Sequence, residues 1–170
     1  MKPIDFRIIE ENMKLRAHQL LFFTSIVYGK VKPVFPSKAC FLNHKNIGKE
    51  DDILLISGIA APAPFIREAE KYSNKVVPMV FPDHHMFSKS DFKKLEAVFE
   101  KMTSSGKLIL VTEKDAARLK NNPLVPESWK NFLYYLPIVI QFCNGQSFDE
   151  TIKKHIITFS KNNILQNEYE

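Results

Sequence analysis

The strongest constraint on the fold is a regular alternation of extended and helical segments that begins at residue 53. Short runs rich in Val, Ile and Leu alternate with longer segments that have the apolar period of an amphipathic helix. The predicted strands are 53–60, 75–81 and 107–112, and the predicted helices are 62–73, 88–106 and 113–120. Because such alternation indicates βαβ units, we expect an α/β fold with a mostly parallel sheet flanked by helices.

The first 50 residues have a less regular pattern. A helix is predicted over residues 4–16, and two extended segments follow on either side of Tyr28-Gly29-Lys30, where we expect a β-hairpin. "KACFLN" (38–43) could be a further strand. We therefore expect a helix and β-hairpin segment over residues 1–50 and an α/β lobe over residues 51–170.

The end of the chain continues the lobe. "FLYYLPIVIQF" (132–142) is interpreted as one strand, or as two strands around Pro137. "SFDETIKKHIITFSKN" (147–162) has the pattern of a closing helix.

Charge and composition exclude several classes of function. The net charge of +5 is spread over the chain, with no run of five or six like charges, so no nucleic-acid partner is expected. A basic surface can still favour an acidic ligand or an anionic membrane. Only 5 glycines are present, and neither GxGxxG nor GxxxxGK[ST] occurs, so the chain has no phosphate-binding loop of its own. The longest apolar run is too short to span a bilayer, and we expect the chain itself to be soluble.

Three polar motifs follow predicted strands directly. They are "SGIAAP" (57–62), "FPDHHMF" (81–87) and "TEKDAARL" (112–119). Ligands of open parallel sheets bind beyond the carboxyl ends of the strands, so the three motifs are expected to share one rim. Gly58 would permit either a simple strand-to-helix turn or a close backbone approach to a ligand.

The group Asp83, His84 and His85 admits three interpretations. It could make loop hydrogen bonds ahead of a helix that is capped by Ser88 or Ser90. A metal site is disfavoured, because adjacent histidines rarely aim at one ion and no HExxH, HxH or cysteine lies nearby. General acid–base work is stronger, since imidazole titrates near neutrality and a neighbouring carboxylate can fix its tautomer.

The third motif has a structural interpretation of its own. Thr112 and Asp115 have the spacing of a capping box at a helix start. That interpretation does not involve Glu113 or Lys114, which would point from the helix start toward the same rim.

Two family resemblances follow from these motifs. "DHH" alone is similar to the DHH phosphoesterases, but their upstream Asp motifs and glycine-rich segment are absent here. In order and spacing, "SGIAAPAPF", "FPDHHMF", "LVTEKDAARL" and "YYLPI" resemble the C-terminal half of the tetraacyldisaccharide 4′-kinases, the lipid A 4′-kinases. The resemblance runs from about residue 54 to residue 140, and the opening segment also looks like that family's connection between its two lobes.

The resemblance implies a Rossmann-like lobe that works beside a P-loop kinase lobe missing from these 170 residues. The complete enzyme would use ATP and Mg²⁺ to phosphorylate the 4′-hydroxyl of a tetraacyldisaccharide 1-phosphate, at the cytoplasmic face of the bacterial inner membrane. The implied partners are the N-terminal lobe, the lipid A disaccharide precursor and the membrane surface. The fragment alone would bind neither ATP nor metal and would be inactive.

The resemblance also implies residue roles. Asp83 and His84 would be catalytic, and the histidine would pair across the cleft with the catalytic aspartate of the other lobe. Possible cleft residues are Gly58, His85, Glu113, Lys114 and Asp115, without individual steps. The alternative is a stand-alone α/β module that binds a nucleotide or phosphosugar without catalysis.

Overall fold

The structure is a computed structural model. It describes residues 3–37, 47–104, 106–143 and 148–167. Contacts between Cα atoms divide the chain into two compact units. One comprises Met1–Val27 with Ile140–Glu170, here called the terminal unit, and the other comprises Tyr28–Val139, here called the sheet unit. The boundary expected near residue 50 stays a prediction.

A five-stranded sheet organises the sheet unit, with strand order β2-β6-β5-β3-β4. Three of its four pairings are parallel, and only the two-residue edge strand β2 runs antiparallel to its neighbour. The predicted α/β fold with a mostly parallel sheet is thus confirmed. The strands are β2 Lys32–Pro33, β3 Asp52–Ser57, β4 Lys75–Val80, β5 Lys107–Thr112 and β6 Leu133–Leu136.

Helices cover both faces of this sheet because the strand side chains alternate between them. Leu54 and Ile56 belong to one apolar cluster, while Ile53 and Leu55 belong to another on the opposite face. The first cluster includes Phe92, Leu95 and Phe99 of α3 with Ala116 and Leu119 of α4, and the second includes Phe65 and Ala69 of α2. These helices are α2 Ala63–Ala69, α3 Lys89–Glu100 and α4 Glu113–Lys120.

The apolar residues of α3 and of the turn after it form one buried face. Phe92, Leu95, Phe99 and Met102 are buried, and Val98 packs against the same cluster. A 3₁₀-helix at Glu127–Asn131, which the sequence pattern did not predict, adds Trp129 to this cluster. The ring of Trp129 lies 5.8 Å from that of Phe92 and 6.2 Å from that of Phe99.

The terminal unit combines a segment from the first part of the sequence with a segment from the last part. Its elements are α1 Pro3–Met13, β1 Thr24–Tyr28, β7 Ile138–Phe142 and α5 Phe148–Asn167, of which β1 and β7 cross the unit boundary by one and two residues. The rings of Phe22, Phe142 and Phe148 form an aromatic cluster, with centroid distances of 4.8–6.0 Å. Among the described residues, no helix has the length and apolar character needed to cross a bilayer.

The expected β-hairpin is wrong. The two extended segments exist as β1 and β2, but β1 pairs with β7 and β2 pairs with β6. Val31 and Val34, which flank β2, are buried in the two apolar clusters of the sheet. Pairing with β6 allows this burial, whereas a local hairpin would leave both valines without the sheet to pack on.

The other predicted elements are present, but three helix ends differ from the prediction: α2 ends at Ala69 instead of residue 73, α3 at Glu100 instead of 106, and α5 at Asn167 instead of 162. The interval 132–142 forms two strands, β6 and β7, with Pro137 between them. Pro78, inside the predicted strand 75–81, lies on the edge strand β4, where a missing N–H is tolerated. The possible strand "KACFLN" lies outside the described residues.

Candidate functional site

The three motifs meet at one edge of the sheet, as the sequence predicted. We call this edge the rim; it consists of residues 57–62, 81–87 and 112–119, which follow the parallel strands β3, β4 and β5. The Phe81 N–H donates to the Ser57 carbonyl at 2.7 Å, which holds the first two segments together. The third segment is joined to the first through Asp115 and to the second through Lys114.

Asp115 lies at the centre of the rim and is fully buried. Its Oδ2 accepts hydrogen bonds from the Gly58 N–H at 2.9 Å and from the Thr112 hydroxyl at 2.7 Å. Its Oδ1 lies 3.4 Å from Nη1 of Arg118, one helical turn further along α4. The Thr112 hydroxyl also accepts the Asp115 N–H at 3.1 Å, so Thr112 caps α4 as predicted. The carboxylate of Asp115 thereby fastens the end of β3 to the start of α4.

Gly58 is required by the closeness of these segments. A Cβ atom at residue 58 would lie 3.1 Å from Asp115 Oδ1 and 3.6 Å from the Pro82 carbonyl oxygen. The 3.1 Å contact is tight for a carbon atom, so a side chain at residue 58 would have to displace the Asp115 carboxylate, whereas 3.6 Å is an ordinary van der Waals distance. Gly58 thus lies against protein groups of the rim, and its predicted role, either a turn or a close approach to a ligand, stays a prediction.

Asp83 is joined to the third segment by an ion pair. Lys114 Nζ lies 2.7 Å from Asp83 Oδ1, and the His84 N–H donates to the same oxygen at 2.9 Å. The hydrogen bond from Lys114, followed by the one from the His84 N–H, holds the pKa of the Asp83 carboxyl below its usual value. Asp83 is therefore a carboxylate at neutral pH, suited to holding cations and donors rather than to acting as an acid.

His84 has an unusual backbone and an exposed ring. Its φ of 61° lies in the left-handed region, which costs a non-glycine residue about 1–2 kcal/mol. The side chain is 75% exposed, and its Nδ1 lies 3.2 Å from Nη2 of Arg118. The ring thus contacts Arg118 through Nδ1, and its Nε2 lies 3.5 Å from Asp83 Oδ2.

His85 has a different environment from its neighbour. Its ring stacks on Phe81 at 4.7 Å, packs edge-on against Phe87, and places Nε2 2.9 Å from Asp91 Oδ2. Asp91 is the third residue of α3, and it forms a capping box with Ser88, one of the two predicted caps. The structure places His85 in the packing at the start of α3, away from the contacts of Asp83 and His84.

Glu113 also lies apart from the network of contacts around Asp83, His84 and Asp115. Its Oε2 accepts the Ile138 N–H at 3.0 Å, so it holds the first residue of β7. Of the residues singled out in the sequence, the structure therefore brings together Gly58, Asp83, His84, Lys114 and Asp115, and it places His85 and Glu113 in separate contacts.

Arg118 is the residue of this network that the sequence analysis missed. It touches both Asp115 and His84. The available signal was helical spacing, since Arg118 follows Asp115 by three residues and Lys114 by four, which puts all three on one face of α4. Within the described ranges, no group of three or more His, Cys, Asp or Glu side chains could hold a metal ion.

Loss of the Asp115 carboxylate should destabilise the fold strongly. Asp115→Ala leaves the buried Gly58 N–H and the Thr112 hydroxyl without their acceptor, and we expect a loss of about 3 kcal/mol or more in the free energy of unfolding. Urea denaturation of the purified chain measures it. Asp115→Asn, which keeps one acceptor oxygen, should lose less, and the exposed Asp83→Ala should lose least. Equal losses for the Asp115→Ala and Asp83→Ala variants would contradict this account.

Asp91 should make stability depend on acidic pH. Hydrogen bonds from the Ser88 N–H and hydroxyl, and then from His85, lower the pKa of Asp91 from 3.8 to about 2. A carboxyl with a lowered pKa stabilises the fold fully above its unfolded value, and the contribution disappears as the pH falls toward the folded value. Urea denaturation should show a larger difference between wild type and Asp91→Asn at about pH 6 than at about pH 3. The same difference at both pH values would refute the lowered pKa.

Comparisons with known proteins agree with the motif analysis. A family model described as LpxK, tetraacyldisaccharide-1-P 4′-kinase, matches residues 10–157. A tetraacyldisaccharide 4′-kinase of Parabacteroides distasonis is 47% identical, and the match covers 95% of this chain and 44% of the relative. The corresponding protein of Bacteroides thetaiotaomicron is 36% identical over 99% of this chain and 46% of the relative. The chain thus spans less than half the length of these curated relatives.

A solved structure also resembles this chain. It is the crystal structure of "apo" form LpxK from Aquifex aeolicus in complex with ATP, with a TM-score of 0.44 and 19% identity over 85% of this chain and 38% of that one. The family match extends over most of the chain and includes all three segments of the rim. The chain belongs to the tetraacyldisaccharide-1-P 4′-kinase family.

Proposed function

We propose that this chain forms the C-terminal lobe of an enzyme that transfers the γ-phosphate of ATP to the 4′-hydroxyl of a tetraacyldisaccharide 1-phosphate, in lipid A biosynthesis. The observation that carries the proposal is the 47% identity to a tetraacyldisaccharide 4′-kinase over 95% of this chain. The rim supports it, because the motifs of the resemblance are joined there by direct hydrogen bonds and an ion pair.

ATP and Mg²⁺ would be held mainly by the other lobe of the enzyme. The 170 residues contain no GxxxxGK[ST] loop, and the described ones offer no cluster of carboxylates for a metal. Lys114 and Arg118 are cations on the outer face of α4, but both are already bonded to Asp83, His84 and Asp115. In this proposal neither cation contacts the nucleotide or the metal ion.

The contribution of this lobe would be His84. Phosphoryl transfer depends mainly on positioning and on stabilisation of charge, and the attacking hydroxyl must lose its proton. In this proposal an aspartate of the other lobe accepts that proton, and His84 donates a hydrogen bond to the aspartate and orients it. The 75% exposure of the His84 side chain leaves it open to a group approaching from outside the lobe. Asp83 holds Lys114 and the backbone of the loop in place.

The substrate carries acyl chains, so the complete enzyme would work at the cytoplasmic face of the inner membrane. The net charge of +5 is consistent with an anionic surface nearby, since basic segments are attracted to anionic lipids. In the terminal unit, exposed Ile156, Ile157 and Phe159 of α5 lie close in sequence to Lys153 and Lys154. Apolar and cationic side chains together suit the interface of such a membrane.

Nucleotide binding by this chain alone should be weak or undetectable, because the phosphate-binding loop is not part of it. Titration calorimetry with ATP and Mg²⁺ measures this directly. The expected result is a Kd of about 1 mM or weaker, which corresponds to a binding free energy no more favourable than about −4 kcal/mol. Micromolar binding by the chain alone would contradict the proposed division of labour and would favour a stand-alone nucleotide-binding module.

Replacement of His84 in the full-length enzyme should lower kcat while the fold stays intact. Groups that handle or orient a proton in the transition state contribute about 10²–10⁴-fold, so His84→Ala should reduce kcat by at least about 100-fold. Transfer of labelled phosphate to the disaccharide measures kcat, and thermal unfolding of the same variant reports the fold.

The neighbouring histidine supplies the comparison. His85→Ala removes the ring stacked on Phe81 and the bond to Asp91, so it should lower the thermal midpoint more than His84→Ala and affect kcat less. A normal kcat in the His84→Ala enzyme would rule out the role assigned to His84.

A further inference from the structure

The contact between Arg118 and His84 has a consequence for the chemistry of the imidazole. Nη2 of Arg118 lies 3.2 Å from Nδ1 of His84. We infer that Arg118 is a positioning residue that fixes His84 in the tautomer with its proton on Nε2, so that the exposed nitrogen is a hydrogen-bond donor. This inference goes beyond the proposed function, because neither the motifs nor the family membership assigns a role to Arg118.

The tautomer follows from the donor and acceptor inventory of the two side chains. A guanidinium group has five N–H donors and no acceptor. The nitrogen that faces it must therefore offer a lone pair, and in a neutral imidazole the proton then belongs to the other nitrogen. The bond assigns Nδ1 of His84 as the acceptor and Nε2 as the donor.

Arg118 can favour this arrangement because its own position is restrained by an ion pair. Its Nη1 lies 3.4 Å from Oδ1 of Asp115, a carboxylate that is fully buried. Asp115 is held in turn by the Gly58 N–H and the Thr112 hydroxyl. The Arg118 side chain is only 26% exposed, whereas the His84 side chain is 75% exposed. The more buried side chain therefore sets the state of the more exposed one.

Asp83 favours the same tautomer only weakly. Its Oδ1 is occupied by Lys114 at 2.7 Å and by the His84 N–H at 2.9 Å. Its Oδ2 lies 3.5 Å from Nε2 of His84, beyond the usual range of an N–H···O hydrogen bond. The proton on Nε2 is thus not committed to Asp83 and is available to a carboxylate outside this lobe.

The consequence for the reaction rests on the proposed function. A neutral imidazole with its proton on Nε2 can donate to the aspartate of the other lobe and orient it. The opposite tautomer would present a lone pair to that carboxylate and repel it. Loss of the donor at residue 118 should therefore act on the chemical step more than on the binding of ATP.

Nitrogen NMR of the ¹⁵N-histidine-labelled chain tests the tautomer without any substrate. When the imidazole is neutral, wild-type His84 should show an unprotonated Nδ1 and a protonated Nε2. Arg118→Met should move both nitrogen shifts toward the values of a mixture of tautomers, and Arg118→Lys, which keeps a donor, should restore them. Lys120→Met removes a cation from an exposed position of the same helix and should leave the His84 shifts unchanged.

Two NMR results would overturn the inference. One is a proton on Nδ1 of His84 in the wild-type chain. The other is identical His84 nitrogen shifts in the wild type and in a folded Arg118→Met variant, with thermal unfolding as the check on folding. If the Met variant does not fold, Arg118→Lys decides, since it must retain the protonated Nε2.

Kinetics of the full-length enzyme then separate this inference from the proposed function. Arg118→Met should lower kcat by about 10–100-fold, the range found for groups that orient metal-bound imidazoles, with little change in the KM for ATP. Arg118→Lys should recover most of the loss. An unchanged kcat in Arg118→Met, beside an impaired His84→Ala enzyme, overturns the role of Arg118. Unchanged kcat in both variants overturns the role of His84 instead.

Discussion

The arrangement of the rim depends on one buried carboxylate. Asp115 receives the Gly58 N–H from the end of β3, the hydroxyl of its own helix cap, and the guanidinium of Arg118. A buried carboxylate is costly unless its oxygens are hydrogen-bonded, so loss of the short bonds from the Gly58 N–H and the Thr112 hydroxyl would strongly destabilise the fold. The start of α4 is therefore rigidly placed, and with it the outward face that presents Lys114 and Arg118 to the loop after β4. The site inherits its geometry from an interaction in the interior of the lobe.

Two adjacent histidines acquire opposite environments from this placement. The left-handed backbone at His84 turns the chain, so that His85 packs between Phe81 and Phe87 while His84 faces solvent. His85 stabilises the start of α3 through Asp91, and His84 is bonded to Arg118 across the rim. His85 thus stabilises the loop by packing, while His84 is exposed on the loop.

Much of the sheet unit could be predicted from the sequence, and the reason is periodicity. Buried parallel strands are nearly continuous apolar runs, as in "ILLIS" and "KLILV", and α3 shows its buried face at helical spacing. The joint position of the three motifs followed from the geometry of parallel sheets. The pairing of β2 could not be predicted in the same way, because its partner β6 lies about a hundred residues away and local pattern carries no information on it. Arg118 was missed because an arginine in a polar helix has the pattern of a solvent-exposed residue. Its contact with Asp115 could not be foreseen, since the sequence indicates that aspartate only as part of a helix cap. The environments of His84 and His85 depend on one dihedral angle, which no residue pattern specified.

Two requirements meet at residue 84: a backbone with positive φ and, in the proposed function, an imidazole side chain. Only histidine meets both. Glycine and asparagine adopt φ near 60° more easily than histidine does, so backbone energetics favour them at residue 84. The proposed chemistry requires an imidazole there. A library sorted by thermal stability or by yield would therefore enrich the residues that remove the function. Consensus or stability-guided redesign of this lobe would have to keep His84 unchanged, because a stabilising substitution at this position would remove the imidazole that the proposed function needs.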